Sequence, residues 1–467
     1  MLTAAPRRED IGGCSSQLRR RAVSNKPPNV VLVFADQWRA QAFGYAGDPN
    51  VQTPNLDALA SRSVNCTHAV SGCSVCSPAR ASLLTGQYPL THGVFVNDVE
   101  LGQDATSIAQ AFSAGGYDTA YIGKWHVNGR GRSSYIPPGR RQGFEYWQVL
   151  ECTHDYNHSA YYAGDSDEQL VWEGYDALAQ TRDAQAYLRN RGTNPFLLVL
   201  SWGPPHAPYH TAPEEYQAMY DPATITLRPN VPPDWAESAR QWLAGYYAHC
   251  TALDDCVGML LQTLQEERLE QETIFLFFSD HGDMLGSQGM DKKQKPFEES
   301  IRVPFLLRYP GMSAAELDAL IDLPDIMPTM LGLCGLPIPS TVEGIDFSAY
   351  LQGGPDPSDG TALLQCPHPF GQWWTGTGGR SYRGLRTRRH TYVRALEGPW
   401  LLYDNEADPF QQDNLVGQPG QQDLLDELDA ALTRRLAAAD DPFLPGPAYL
   451  ERWGYQVDAR GTVPYTN

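Results

Sequence analysis

The chain has 467 residues and a formal charge of −20, with 35 Lys and Arg against 55 Asp and Glu; this length accommodates one large α/β unit and a smaller one. A surface that acidic repels nucleic acid and anionic lipid, so neither is an expected partner, and an anionic substrate requires a locally basic pocket. No run of about 18 apolar residues occurs, so no helical membrane span is expected.

Residues 1–26 carry Arg7, Arg8, Arg19, Arg20 and Arg21 without a following apolar stretch. They read as a disordered leader rather than a secretory signal, and the expected location is the cytoplasm. The nine cysteines are odd in number and scattered. Cys73 and Cys76 have C-x-x-C spacing, but no second pair accompanies them, so reduced thiols are expected rather than a zinc site.

Asn29–Ala35 (NVVLVFA) is a continuous apolar run with β-branched residues, the pattern of a strand buried on both faces of a parallel sheet. Thr53-Pro54 opens a helix through Leu56, Leu59 and Ala60. Ala105–Ala114 reads as a helix ended by Gly115-Gly116. Asp118–Ile122 is the next strand and runs into Gly123-Lys124-Trp125-His126. Pro137–Tyr162, rich in Gly, aromatic and His residues, reads as loop structure near a site, and Glu168–Arg191 has helical spacing. Phe196–Ser201 (FLLVLS) is a third buried strand, leading to Trp202-Gly203-Pro204-Pro205-His206. Trp235–Glu270 is one long helix or two. Thr273–Ser279 (TIFLFFS) is a fourth strand, ending in Asp280-His281-Gly282-Asp283, and Pro304–Arg308 is a fifth. Strands alternating with helices predict an α/β unit over residues 27–352, a large, mostly parallel sheet flanked by helices. In such sheets ligands collect at the carboxyl ends of the strands. After a Gly/Pro/Asp linker at Gly353–Gly360, short strands are expected around Ala362–Gln365, Tyr382–Thr387, His390–Leu396 and Trp400–Tyr403. A helix follows at Asp423–Ala438, so residues 361–467 read as a smaller antiparallel sheet with one helix.

The stretch Cys76-Ser77-Pro78-Ala79-Arg80 carries the strongest chemical signal. Ser77 suits a helix N-cap and Pro78 the first helical turn. Cys76 is therefore expected at the mouth of a helix, where free N–H groups and the dipole favour anions. Arg80, one turn on, can point back to the same spot. Cys76-x-Pro78-x-Arg80, three residues, then Leu84-Thr85-Gly86 resembles the signature of the type I, formylglycine-dependent sulfatases of the alkaline phosphatase superfamily. Gly123-Lys124-Trp125-His126, the Pro-Pro-His206-Ala-Pro loop, the segment from Lys293 through Pro296-Phe297 to Pro304, and Tyr403–Pro409 with Asn414-Leu415 resemble further sulfatase motifs, in the family's order. The resemblance covers nearly the whole chain beyond residue 27 and implies an alkaline phosphatase-like fold. It also implies that a formylglycine-generating enzyme, reading the Cys-Pro-Arg triple, oxidises Cys76 to an aldehyde.

Asp36 and Gln37 end the first strand, and Asp280 and His281 end the fourth. Oxygen donors with one imidazole suit a hard divalent cation. By resemblance Asp36, Asp280, His281 and an oxygen of the modified Cys76 are metal ligands, with Gln37 standing where many members have a second Asp, and His281 where many have Asn. The Gln drops a negative charge and the His adds a nitrogen, so Ca²⁺ is expected with Mn²⁺ or Zn²⁺ open. The implied reaction is hydrolysis of a carbohydrate or aryl sulfate ester. A hydroxyl of the hydrated aldehyde loses its proton to Asp280 and attacks sulfur, Arg80, Lys124 and Lys293 stabilise the sulfuryl oxygens, and His206 protonates the leaving alcohol. His126 deprotonates the second hydroxyl to expel sulfate.

Asn97, His154 and Asp155, with Asn157 and His158, sit in loops that can line a sugar pocket, and Trp373 and Trp374 can stack on a ring. Lys292 and Lys295 read as solvated charges. Two alternatives remain at this level. A phosphonate monoester or phosphodiester hydrolase of the same superfamily is suggested by Asp36-Gln37 and Asp280-His281. The other is an unmodified, non-catalytic binding relative.

Overall fold

The structure is a computed structural model describing residues 26–466; the reading of residues 1–25 as part of a leader lies outside the described residues. The strands are β1 (Asn29–Asp36), β2 (Val64–Cys66), β3 (Asp118–Lys124), β4 (Tyr146–Leu150), β5 (Ala160–Ala163), β6 (Leu170–Val171), β7 (Phe196–Pro205), β8 (Thr273–Ser279), β9 (Phe305–Arg308), β10 (Ala315–Leu317), β11 (Thr361–Cys366), β12 (Tyr382–Thr387), β13 (His390–Ala395) and β14 (Gly398–Asp404). The large sheet has the order β10-β2-β9-β8-β1-β7-β3-β4-β5-β6. Its centre, β8-β1-β7-β3-β4, is parallel throughout, while β9 runs antiparallel to β8 and β5 antiparallel to β4.

The apolar runs belong to strands covered on both faces. Val30, Leu32 and Phe34 of β1 join one hydrophobic cluster with Ile274, Leu276 and Phe278 of β8. Val31, Val33 and Ala35 join the other, with Phe275 and Phe277. Successive side chains alternate between faces, so a continuous apolar run is what two covered faces require. Because β8, β1, β7 and β3 are parallel, their carboxyl ends lie along one edge, and the polar residues that follow them meet there.

Several local readings change. Residues 137–162 are not all loop, since β4 and β5 fall there, each carrying an adjacent aromatic pair, Tyr146-Trp147 and Tyr161-Tyr162, towards the outer side of the sheet. The helix expected over Glu168–Arg191 begins only at Asp176 and runs to Asn190, because β6 and Gly174, at φ +69°, precede it. The helix expected from Ala105 starts at Ile108, capped by Ser107 through a box with Gln110. Trp235–Glu270 contains a single helix, Ala236–Glu266. The helix Leu323–Leu333 has no counterpart in the sequence reading; Pro324 suits its first turn, but the interior Pro328 weighs against it by propensity, and it is anchored by a capping box of Asp322 and Asp325.

The small sheet, β11-β12-β13-β14, is antiparallel. One face is covered by the Gln422–Ala438 helix, whose Leu425, Leu428, Leu432 and Leu436 pack on Leu363, Leu385, Tyr392 and Leu402. The other face packs Leu364, Tyr382, Val393 and Tyr403 against Met284, Phe297 and Ile301 of the large unit. Among the described residues no helix is long and apolar enough to cross a membrane, and the described cysteines are free thiols.

Candidate active site

Helix α1 (Pro54–Ala60) packs with the Ala236–Glu266 helix on one face of the large sheet; helix α2 (Cys76–Thr85) aims its first residue at the edge where the parallel strands end. Every residue of α2 is buried, and Gly86 closes it in the left-handed conformation at φ +67°. Ser77 is not the N-cap. Val75 holds that position without a side-chain bond, and Ser77 lies inside the helix. The Ser77 hydroxyl instead donates to the His126 carbonyl at 2.6 Å, and its N–H donates to Asn97 Oδ1 at 3.0 Å. The helix mouth is therefore capped from outside, by a residue expected only to touch substrate.

Asp36, Cys76, Asp280 and His281 are all buried, and each offers one ligand atom within 4.8 Å of the others. Cys76 Sγ is 3.2 Å from His281 Nε2 and 3.6 Å from Asp36 Oδ1; His281 Nε2 is 3.4 Å from Asp36 Oδ1 and 3.7 Å from Asp280 Oδ1. Cations surround this cluster. Arg80 Nη2 lies 3.1 Å from Asp36 Oδ2 and 3.0 Å from Asp280 Oδ2, and Lys124 Nζ 2.6 Å from Asp36 Oδ2. Arg80 Nη1 donates to the Lys124 carbonyl at 2.8 Å and to Ser201 Oγ at 2.7 Å, fixing the guanidinium. Two carboxylates, an imidazole and a fourth donor at position 76 fit a divalent cation, and an oxygen at 76 in place of sulfur makes the set oxygen-dominated. Asp280 Oδ2 is buried and makes no hydrogen bond despite its contact with Arg80, which leaves acceptor capacity for a cation.

Gln37 follows with φ +74°, its N–H donating to Asp280 Oδ1 at 3.0 Å. Its Oε1 accepts from Lys293 Nζ at 2.6 Å, and its Nε2 donates to Asp283 Oδ2 at 2.6 Å. Lys293 Nζ also lies 2.6 Å from His206 Nε2. His206 Nδ1 is 2.7 Å from the Ala207 carbonyl, and its ring stacks at 4.8 Å on that of His154. His126 reaches the helix mouth through its carbonyl, as above.

Burial opposes every charge in this pocket, and the outcome depends on which neighbours offset it. Burial and Asp36 raise the Cys76 pKa, but Lys293, Lys124 and His281 outweigh them, so the thiol sits well below its usual value. Burial raises Asp36 too, yet Lys124, His206, Arg80 and His281 hold it below the carboxylate range. Asp280 is displaced upward, by burial and then by Asp36. Burial and Lys293 drive His206 far down, so its Nε2 accepts the lysine proton.

The structure thus gathers Asp36, Gln37, Cys76, Arg80, Lys124, His206, Asp280, His281 and Lys293 around one point, with His126 and Asn97 at the base of α2. His154 lies at the mouth. Asp155 and His158 are exposed, 3.7 Å apart, and Asn157 donates to the Thr211 carbonyl at 3.1 Å. Trp373 is buried in the cluster between the sheets, where it cannot stack on a ligand. Lys295 is not a solvated charge: it is buried over the Trp373 ring, held by the Asp291 carbonyl, and burial brings its pKa down to about 8. Sequence reasoning missed Ser201, Tyr209 and Asp283. Asp283 accepts from both Gln37 and the Tyr209 hydroxyl, the latter at 2.6 Å. Its signal was present, three residues after Asp280 at a strand end.

A family model described as Sulfatase matches residues 28–336, and one described as N-sulphoglucosamine sulphohydrolase, C-terminal, matches residues 286–438. A relative from Formosa agariphila, described as an ulvan-active sulfatase, is 45% identical over 97% of this chain and 90% of its own. An endo-4-O-sulfatase from Bacteroides thetaiotaomicron is 31% identical over 92% of this chain and 96% of its own. A solved structure connected with glycosaminoglycan metabolism by Bacteroides thetaiotaomicron superposes with a TM-score of 0.81 at 30% identity, covering 91% of this chain and 98% of that one. With its signature cysteine at a cation-ringed helix mouth, the chain belongs to the sulfatase family of the alkaline phosphatase superfamily and hydrolyses sulfate esters.

Proposed function

We propose that this sulfatase removes sulfate from a sulfated polysaccharide of the ulvan type, using formylglycine at position 76 and Ca²⁺ held by Asp36, Asp280, His281 and an oxygen of residue 76, with Gln37 alongside. The observation that carries the chemistry is the buried convergence of Cys76 with two carboxylates and His281 inside a ring of Arg80, Lys124 and Lys293. The saccharide class is supported by the relatives described as ulvan-active and as an endo-4-O-sulfatase. The aldehyde, once hydrated, supplies an oxygen nucleophile that sulfur chemistry at 76 does not. The cation, when bound, supplies Lewis-acid charge that lowers the pKa of that oxygen.

The side chains divide the remaining work. Asp280, whose pKa is displaced upward, takes the proton of the attacking hydroxyl. Arg80, Lys124 and Lys293 offset negative charge on the sulfuryl oxygens in a pocket where water is excluded and charge interactions are strong. Lys293 holds a neutral His206 in the substrate-free state. When a sulfate oxygen takes over the lysine, the charge that adds to burial in suppressing His206 is drawn off; Nε2 then takes up a proton from solvent and passes it to the leaving alcohol. His126 removes the proton that lets sulfate depart.

The test is sulfate release, followed by ion chromatography, from ulvan oligosaccharides and an aryl sulfate, beside phenol release from the aryl sulfate and an aryl phosphonate monoester, with peptide mass spectrometry at Cys76 and metal analysis of the same sample. Release from the oligosaccharides, an aldehyde at 76 and stoichiometric calcium are expected. Faster cleavage of the phosphonate than of either sulfate would reject the reading, and an intact thiol in an active preparation would reject the aldehyde chemistry.

A further inference from the structure

Behind His126 a chain of contacts runs away from position 76 to the far end of the sequence. His126 Nε2 lies 3.3 Å from Asp98 Oδ1. Arg132 grips Asp98 with its fork, Nε donating to Oδ1 at 3.0 Å and Nη2 to Oδ2 at 2.9 Å. The Tyr465 ring covers the guanidinium, its centroid 3.5 Å from Cζ, and the Arg132 N–H donates to the Thr466 carbonyl at 2.8 Å. Gly131 permits this approach: a Cβ there would meet Thr466 Oγ1 at 2.4 Å. Asp98 and His126 are both buried and both left-handed, at φ +63° and +61°, a backbone cost of about 1 kcal/mol or more each that the surroundings must hold in place. The other ring nitrogen of His126, Nδ1, is buried and makes no well-formed hydrogen bond, with the Cys152 thiol beside the ring.

We infer that Asp98 is a positioning residue for His126, that Arg132 locks Asp98, and that the Tyr465–Thr466 segment clamps Arg132, so that this C-terminal stretch is part of the apparatus that releases sulfate. The inference rests on the reading above in one respect, that His126 is the base of the second half-reaction. In that step a His126 nitrogen takes the proton of the remaining hydroxyl on the residue-76 carbon, the carbonyl re-forms, and the carbon–oxygen bond to sulfate breaks with its electron pair going to sulfate. A carboxylate bonded to one imidazole nitrogen fixes the ring and leaves the other nitrogen free to accept. A bidentate guanidinium fixes the carboxylate in turn, which a lysine cannot reproduce.

Full-length Asp98→Asn, Arg132→Lys and Tyr465→Ala are the test; Tyr465 is 42% exposed, so its removal leaves the core intact. In rapid-quench experiments with an aryl sulfate, the first equivalent of alcohol should appear at the wild-type rate in all three. Steady turnover should fall roughly tenfold to a hundredfold in Asp98→Asn, and by less in the other two, so that a one-equivalent burst emerges while KM is little changed. In the unmodified, metal-free protein, proton–nitrogen NMR should show a downfield His126 Nε2–H resonance that is lost in Asp98→Asn and broadened in Tyr465→Ala. First-turnover and steady rates falling by the same factor would overturn the inference, as would an unchanged resonance in both variants. A wild-type protein that cleaves no sulfate ester would sink the functional reading alone, and the resonance would still decide the positioning.

Discussion

Lys293 shows how much one side chain can determine in this pocket. Its ammonium contacts Gln37 Oε1 and His206 Nε2, both at 2.6 Å, and is 4% exposed as a residue. Replacing it with alanine should leave the fold intact and lower kcat/KM by about a hundredfold, or ~2.7 kcal/mol of transition-state stabilisation, in steady-state assays with an aryl sulfate. Cys76→Ser keeps an oxygen at the helix mouth but has no second hydroxyl to drive sulfate out. It should release at most one equivalent of alcohol and then stop, as read by rapid-quench product analysis; repeated turnover at the wild-type rate would exclude the aldehyde route. Residues of this kind were legible in the sequence because their chemistry demands particular side chains at strand ends: Asp36 and Lys124 close their strands, and His206 and Asp280 directly follow theirs. Asp98, Arg132 and Ser201 were not. Asp and Arg in loops are ordinary solvated charges until tertiary structure brings them together, and nothing local marks Ser201 as the acceptor for Arg80.

Among the elements, the segment from Lys292 to Arg302 links the two sheets. Lys292 and Gln294 flank Lys293 in left-handed conformations, at φ +55° and +70°. The Gln294 carboxamide pairs with the Phe370 backbone in both directions, donating at 3.1 Å and accepting at 3.4 Å. Farther along, Glu298 is buried and forked by Arg386 of β12, at 2.7 and 3.2 Å, while Arg302 stands 3.7 Å away. Burial raises the Glu298 pKa, but Arg386 outweighs it and holds the group ionised. Arg386→Ala should therefore strand a buried carboxylate and destabilise the protein by about 3 kcal/mol in denaturant titrations, with KM rising as the Lys293 segment loosens. At this scale the central strands were readable, because two covered faces impose unbroken apolar runs. β4, β5 and the Leu323–Leu333 helix were not, since paired aromatics beside glycines resemble loop and an interior proline, Pro328, resembles a break. Tertiary packing overrode local propensity in each case.

For the whole molecule, the acidic surface and the cation-ringed pocket separate solubility from substrate attraction, and buried carboxylates outside the catalytic cluster contribute to the response of stability to pH. Asp176 is fully buried at the start of its helix, where Ser159 Oγ donates to Oδ2 at 2.5 Å and Oδ1 has no partner. Burial pushes its pKa up from 3.8 to about 7. The folded state thus favours the protonated acid. This contribution is fully present below about pH 4 and is lost as pH rises through about 7. Asp176→Asn, neutral at every pH, should melt several degrees above the wild type at pH 8, with the advantage shrinking towards pH 4, in thermal scans across that range. Finally, Cys76, Ser77, Pro78, Ala79 and Arg80 are all interior in the finished protein, with Cys76 1% exposed. An enzyme that must read these five residues finds none of them available once the helix has docked. On the proposed reading, enzymatic conversion of the thiol therefore belongs to the nascent chain, in the interval between emergence from the ribosome and collapse of the sheet. Yield of active protein from a host should accordingly depend on the race between that enzyme and folding, so that slowing translation raises the converted fraction while treating mature protein afterwards does not.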